Sequence, residues 1–271
     1  MESKNQHSFI DKVVKILFLS YIFSVLVFSA YAETNSISKL IFVAFMGVCV
    51  LVFFFSRKIR LDPYFWYIGI FILFVFASSL WALKPSFAIT KGVTLIQIFA
   101  LCIFVYSFFY SMDDINFLIL SLYISGIAMC VYVVFSTGLT NYIDMLINGA
   151  RAGDDIGNVN AVGGRAAITA VIGLYYAFFK NKKINYVLML IPVFVSLGTG
   201  SRKALLALIV GGVLLFFIKF QSEITAKNVL KTVFIAVCVI IAFTFILKLE
   251  MFSTVNERMQ QLINFQTGEG E

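Results

Sequence analysis

The sequence predicts an all-α fold: a polytopic membrane helical bundle of about nine transmembrane helices. Three observations carry this. Of 271 residues, 61% are hydrophobic and only 13% charged, where a soluble domain carries roughly 25% charged residues. The apolar residues come in long runs, and a helix needs about 20 consecutive apolar residues to cross the hydrocarbon core. Alternation is weak and turn signals are scarce, which argues against a β-barrel, and lipid offers no partner for open backbone groups, so the runs fold as helices.

The elements follow in order. The first run, Lys15–Tyr31, succeeds a polar tail holding the only histidine, His7, which reads as solvated. No small-residue cleavage site follows, so the run stays as an anchor. The second, Leu40–Phe55, ends at the basic turn "SRKIRLD". The third, Tyr64–Trp81, closes on an interface tryptophan, and Lys84-Pro85 turns the chain into Ile89–Tyr110. A turn with Asp113 and Asp114 leads to Ile115–Ser136. A long polar loop, Thr137 to Asn160, precedes Ala161–Phe179, and the basic turn "FKNKKINY" follows it. The next run, Ile184–Leu197, is short and contains Pro192, which bends or tilts it. Ala204–Phe220 and Val229–Leu249 complete the set, so residues 1–250 form the transmembrane domain. Beyond it, Val255, Met259, Leu262 and Ile263 share one face at helical spacing. That fits an amphipathic helix on the outer surface, and 251–271 reads as the start of an extracytoplasmic segment cut short.

Charge sets the orientation. With a cytoplasmic N-terminus, the inner segments hold compact clusters: Lys4, Lys12 and Lys15; Arg57, Lys58 and Arg60; Lys180, Lys182 and Lys183; Lys219, Lys227 and Lys231. Basic residues in short loops mark the cytoplasmic side, so the chain reads as a multi-pass bacterial inner-membrane protein. The net charge of +7 is therefore a topology signal. No basic stripe interleaved with aromatics points to nucleic acid. The cysteines, Cys49, Cys102, Cys130 and Cys238, sit inside apolar runs without paired spacing. Neither a disulfide nor a metal site is expected, and no cofactor is implied.

Against that bias, some cations fall on the outer side. Lys39, Lys91 and Lys248 are read as snorkelling to headgroups. Arg202 and Lys203 differ. They follow "GTGS", small residues that permit close approach, and open an apolar helix whose free N–H groups and dipole attract anions. The cations oppose that dipole, and a bound anion relieves the conflict. A second constellation is "RAGDDIGNVNAVGGRAAI". Arg151 and Arg165 can hold phosphate bidentately, Asp154 and Asp155 can contact sugar hydroxyls or balance the arginines, and Asn158 and Asn160 offer amides. Asn158 can equally cap the next helix, and the whole loop can be solvated with caps. Arg165 lies inside the first turns of a membrane helix, where an ionisable group has a partner or a ligand.

Together these features resemble the O-antigen ligase and O-antigen polymerase family. The resemblance rests on Ser-Leu-Trp-x-x-x-x-Pro-Ser at Ser79–Ser86, on "RAGDDIGNVNAVG", on "TGSRKALLAL" and on the tail "NERMQQLINFQTGEGE". It covers Leu40 to the end. It implies a GT-C-like bundle and a glycosyltransferase acting on the outer face. The donor is a polyprenyl-pyrophosphate-linked glycan, joined into surface polysaccharide or passed to an acceptor. Carried over by position, Arg202 would hold the pyrophosphate and Arg151 would be a second contact; Lys203, Arg165 and Lys84 are lesser candidates. Partners implied are the lipid-linked glycan, membrane lipids and other polysaccharide assembly proteins. The family also uses a histidine in a large outer loop, which this sequence lacks, so the catalytic residue is unassigned and the chain reads as a fragment or truncated reading frame ending before that loop rather than as an inactive half. A lipid-linked glycan flippase or other transporter, and a non-catalytic assembly subunit, are the rival readings. A transporter calls for mid-span charges and repeat symmetry, and most span interiors here are uncharged.

Overall fold

The computed structural model describes residues 2–28, 30, 35–56, 60–147, 158–220 and 230. Among these the chain is helical with no strands. The helices are α1 (Glu2–Phe28), α2 (Asn35–Ser56), α3 (Pro63–Ala77), α4 (Pro85–Phe108), α5 (Met112–Thr137), α6 (Leu139–Ile147), α7 (Val159–Phe179), α8 (Ile184–Leu188), α9 (Leu190–Gly198) and α10 (Arg202–Phe220). Four are long and apolar enough to cross a membrane: Pro63–Leu80 with its closing 3₁₀ turn, Pro85–Phe108, Met112–Thr137 and Val159–Phe179. The expected run Val229–Leu249, apart from Leu230, and the amphipathic tail lie outside the described residues.

One expectation is corrected and one is refined. Part of the supposed Thr137–Asn160 loop is the helix α6, because Leu139, Tyr142 and Ile143 recur at helical spacing and Tyr142 is buried. The run Ile184–Leu197 is two helical pieces meeting at Met189. Pro192 has no N–H to give the carbonyl of Leu188, so one helical hydrogen bond is missing there, while the Met189 and Val193 N–H groups still donate to the Asn185 and Met189 carbonyls at 3.0 and 3.1 Å.

The chain divides into two compact units. The first comprises Met1–Phe18 and Phe42–Leu118. In it α3 starts on Asp62, whose carboxylate accepts from the Tyr64 N–H at 3.1 Å, with Pro63 at the first helical position. α3 returns as α4 through the Ser78–Lys84 turn, and the Phe76 ring lies against Gly92. Only 6% of the α3 span and 11% of the α4 span are buried, so most of both surfaces is apolar and outward-facing. The core is aromatic: the Phe18 and Phe109 ring centroids are 5.1 Å apart, and those of Phe45 and Phe104 are 5.0 Å apart. One end of the unit is tied by polar contacts. Ser111 and Asp114 form a reciprocal cap at the head of α5: the Ser111 N–H donates to Asp114 Oδ2 at 3.1 Å, and the Asp114 N–H donates to Ser111 Oγ at 3.1 Å. Lys15 Nζ stands 2.6 Å from Asp114 Oδ1 and fixes α1 to that cap.

The second unit comprises Leu19–Ile41 and Ile119–Glu271, and α7 is its centre. The buried face of α7 is made of Val162, Gly163, Ala166, Ala167, Thr169, Ala170, Gly173, Tyr176 and Ala177. Small residues at this spacing let helix backbones approach, the usual basis of packing where lipid supplies no hydrophobic drive. Met129, Cys130 and Val133 of α5, Val195 of α9 and Tyr142 of α6 close the core around it. Half of the α7 span is buried. The ends of the unit are distinct. At one, the Tyr123 hydroxyl donates to Asn185 Oδ1 at 3.0 Å, and Asn185 Nδ2 donates to the Lys182 carbonyl at 3.1 Å. At the other, the head of α7 meets the turn between α9 and α10.

Candidate functional site

The turn Thr199–Ser201 is built by its neighbours. α9 ends at Gly198, and past its Thr199 cap Gly200 has a φ of +58°, the left-handed conformation that glycine adopts without a Cβ penalty. Its N–H donates to the Leu197 carbonyl at 3.0 Å. The Thr199 hydroxyl turns inward and donates to the Ser196 carbonyl at 2.7 Å. Thr199 and Ser201 press on Gly163 of α7, where a Cβ would overlap the threonine hydroxyl. Just before it, the Tyr142 ring covers Gly198, and its hydroxyl donates to the Val195 carbonyl at 3.0 Å. The turn is thus held by α6 through the end of α9 and by α7 directly.

Ser201 sits at the cap position of the 19-residue helix α10. Its carbonyl accepts from the Leu205 N–H at 3.1 Å, as an N-cap residue should. Its side chain departs from the pattern: Ser201 is 2% exposed and its Oγ has no hydrogen-bond partner. A serine at this position ordinarily accepts from an N–H of the first turn, and a buried hydroxyl left unmade costs about 1–3 kcal/mol. Arg202, half-buried, and Lys203, exposed, occupy the first two helical positions. The arrangement is one buried hydroxyl, two cations and the positive end of a helix dipole, all within one turn. Chemically it can accept an anion with several oxygens.

The other candidates fall elsewhere. Asn158 caps α7, its Oδ1 accepting from the Ala161 N–H at 3.1 Å; its carbonyl oxygen is occupied by that structural task. Asn160 is exposed in the first turn of α7. Arg165 is on the same helix, half-buried, and its carbonyl accepts from the Thr169 hydroxyl at 2.8 Å. Two residues on from Gly163, it leaves the helix about 200° around from the face that meets the Ser201 turn. Lys84 belongs to the first unit, where its ammonium lies 5.8 Å from the centre of the Phe87 ring. Arg151, Asp154 and Asp155 lie outside the described residues. Among the described residues, no group of three His, Cys, Asp or Glu side chains could hold a metal ion.

Sequence reasoning missed Tyr142 and Gly163. The signal for the first was present: "LTNYIDMLI" is amphipathic at helical spacing. The class that fold and site define is an all-helical membrane protein with a polar, cationic turn at one end of a small-residue core. No family model matches the chain, and neither a curated protein nor a solved structure is significantly similar to it.

Proposed function

We propose that the chain is part of a membrane glycosyltransferase of the O-antigen polymerase or ligase type. It would take an oligosaccharide from a polyprenyl pyrophosphate on the outer face of a bacterial inner membrane. The unpartnered, buried Ser201 hydroxyl beside Arg202 and Lys203 carries this reading. A diphosphate leaving group develops negative charge during transfer, and fixed donors and cations aimed at it lower the barrier. The proposed frame is a GT-C-like bundle of nine spans with a cytoplasmic N-terminus, in which α1, α2, α8–α9, α10 and Val229–Leu249 join the four long helices. The arrangement within each unit supports that alternation. Lys15, Asp114 and the Arg60–Ser107 contact share one end of the first unit. In the second, Lys219 reaches the Phe178 carbonyl, while the heads of α7 and α10 meet at the opposite end.

Two substitutions in the intact gene test it, read on the length distribution of surface polysaccharide. Arg202→Ala is expected to collapse the long polymer at normal protein level. Ser201→Ala is expected to lower polymer output about tenfold while leaving the melting temperature unchanged or higher, because it deletes an unsatisfied polar group. An unchanged ladder in Arg202→Ala would discard the transferase. Lipid-linked precursor retained on the cytoplasmic side would point to a flippase instead.

A further inference from the structure

We propose that the turn between α7 and α8 holds the headgroup of an anionic glycerophospholipid. Lys180, Lys182 and Lys183 are exposed there within four residues. The turn is fixed from inside. Asn181 adopts a φ of +50°, the Lys180 N–H donates to the Tyr176 carbonyl at 3.2 Å, and the buried Asn185 amide holds the Lys182 carbonyl while itself held by Tyr123. Such a frame presents three ammonium groups from a rigid base, so little backbone order is lost on binding. A fourth cation is adjacent: Lys219 donates to the Phe178 carbonyl at 2.6 Å and lies 5.5 Å from the centre of the Phe179 ring. That ammonium occupies the carbonyl end of α7, the natural counter-charge for the three lysines.

Within this unit, no described carboxylate lies at the lysine end. The described residues of this unit include one acid, Asp144. It lies on α6, which meets the opposite end of α9. The surroundings also suit acyl chains: Ile184, Val187 and Leu190 are more than half exposed just beyond the lysines, and Leu214 and Ile218 are likewise exposed on α10. Phosphodiester charge above and apolar surface below is the pattern of a lipid. A soluble anion needs only the first half. Juxtamembrane lysines attract anionic headgroups with about a fivefold gain in affinity each. This inference is independent of the chemistry proposed at Ser201.

The test is native mass spectrometry of the full chain in detergent with equal phosphatidylglycerol and phosphatidylcholine of matched acyl chains. The wild type is expected to retain phosphatidylglycerol at least tenfold over phosphatidylcholine. The triple variant Lys180→Gln, Lys182→Gln, Lys183→Gln is expected to lose that preference, and the triple arginine variant to keep it. Lys182→Gln alone, at an exposed position that leaves the fold intact, should cut the preference about fivefold. Equal preference in wild type and Lys182→Gln would overturn the proposal. So would displacement of phosphatidylglycerol by millimolar inorganic phosphate, which would mark an ion site instead.

Discussion

Gly163 and Tyr142 decide whether the Ser201 turn keeps its shape. Gly163→Ala forces a methyl into the Thr199 hydroxyl and should destabilise the protein by about 1–3 kcal/mol. Gly212 of α10 has nothing within 4 Å of its would-be Cβ. Gly212→Ala should therefore be neutral or stabilising by about 0.5–1 kcal/mol through helix propensity alone. Melting temperatures of the two variants in one detergent check the contrast. Tyr142→Phe removes one donor to the Val195 carbonyl, which still accepts from the Thr199 N–H at 3.2 Å, so its cost should be only about 1 kcal/mol. At this scale the sequence was half legible. That Arg202 follows a glycine-rich turn could be read directly. That Ser201 leaves its helix uncapped could not, because the rotamer depends on Gly163 and Thr199, one of them a helix away.

At the scale of elements, the head of α5 gives the sharpest expectation. Ser111→Ala removes a cap oxygen and should cost about 1 kcal/mol. Asp114→Asn breaks the Lys15 pair as well, so the double substitution should fall short of the sum of the two. A double-mutant cycle on thermal unfolding measures this. The long helices were readable because a span must be both long and apolar. α6 was overlooked because the polar residues Thr140, Asn141 and Asp144 sit on the face turned away from Tyr142 and look like a loop when read linearly. The break at Met189 was foreseen through Pro192, though its position one residue after the Leu188 carbonyl follows from the missing N–H rather than from composition.

For the whole molecule, burial divides the long helices by task. α3 and α4 present most of their surface outward, whereas α7 is buried over half its span. Leu73→Ala on α3 should therefore cost little in melting temperature, while Phe71→Lys, also outward, should impair membrane insertion by about 2.5–3.5 kcal/mol. Insertion assays on the α3–α4 hairpin check both. The bilayer class was legible from composition, and helices from pattern, because a solvent without hydrogen bonds leaves only helices and closed barrels and the runs lack barrel alternation. The division into two units was not, since it depends on which helix faces meet. The broken helix α8–α9 has one last consequence. From Ile184 to Gly198 it climbs about 22 Å, less than the ~30 Å thickness of bilayer hydrocarbon. A crossing here would need the turn at residues 199–201 to supply the remaining height.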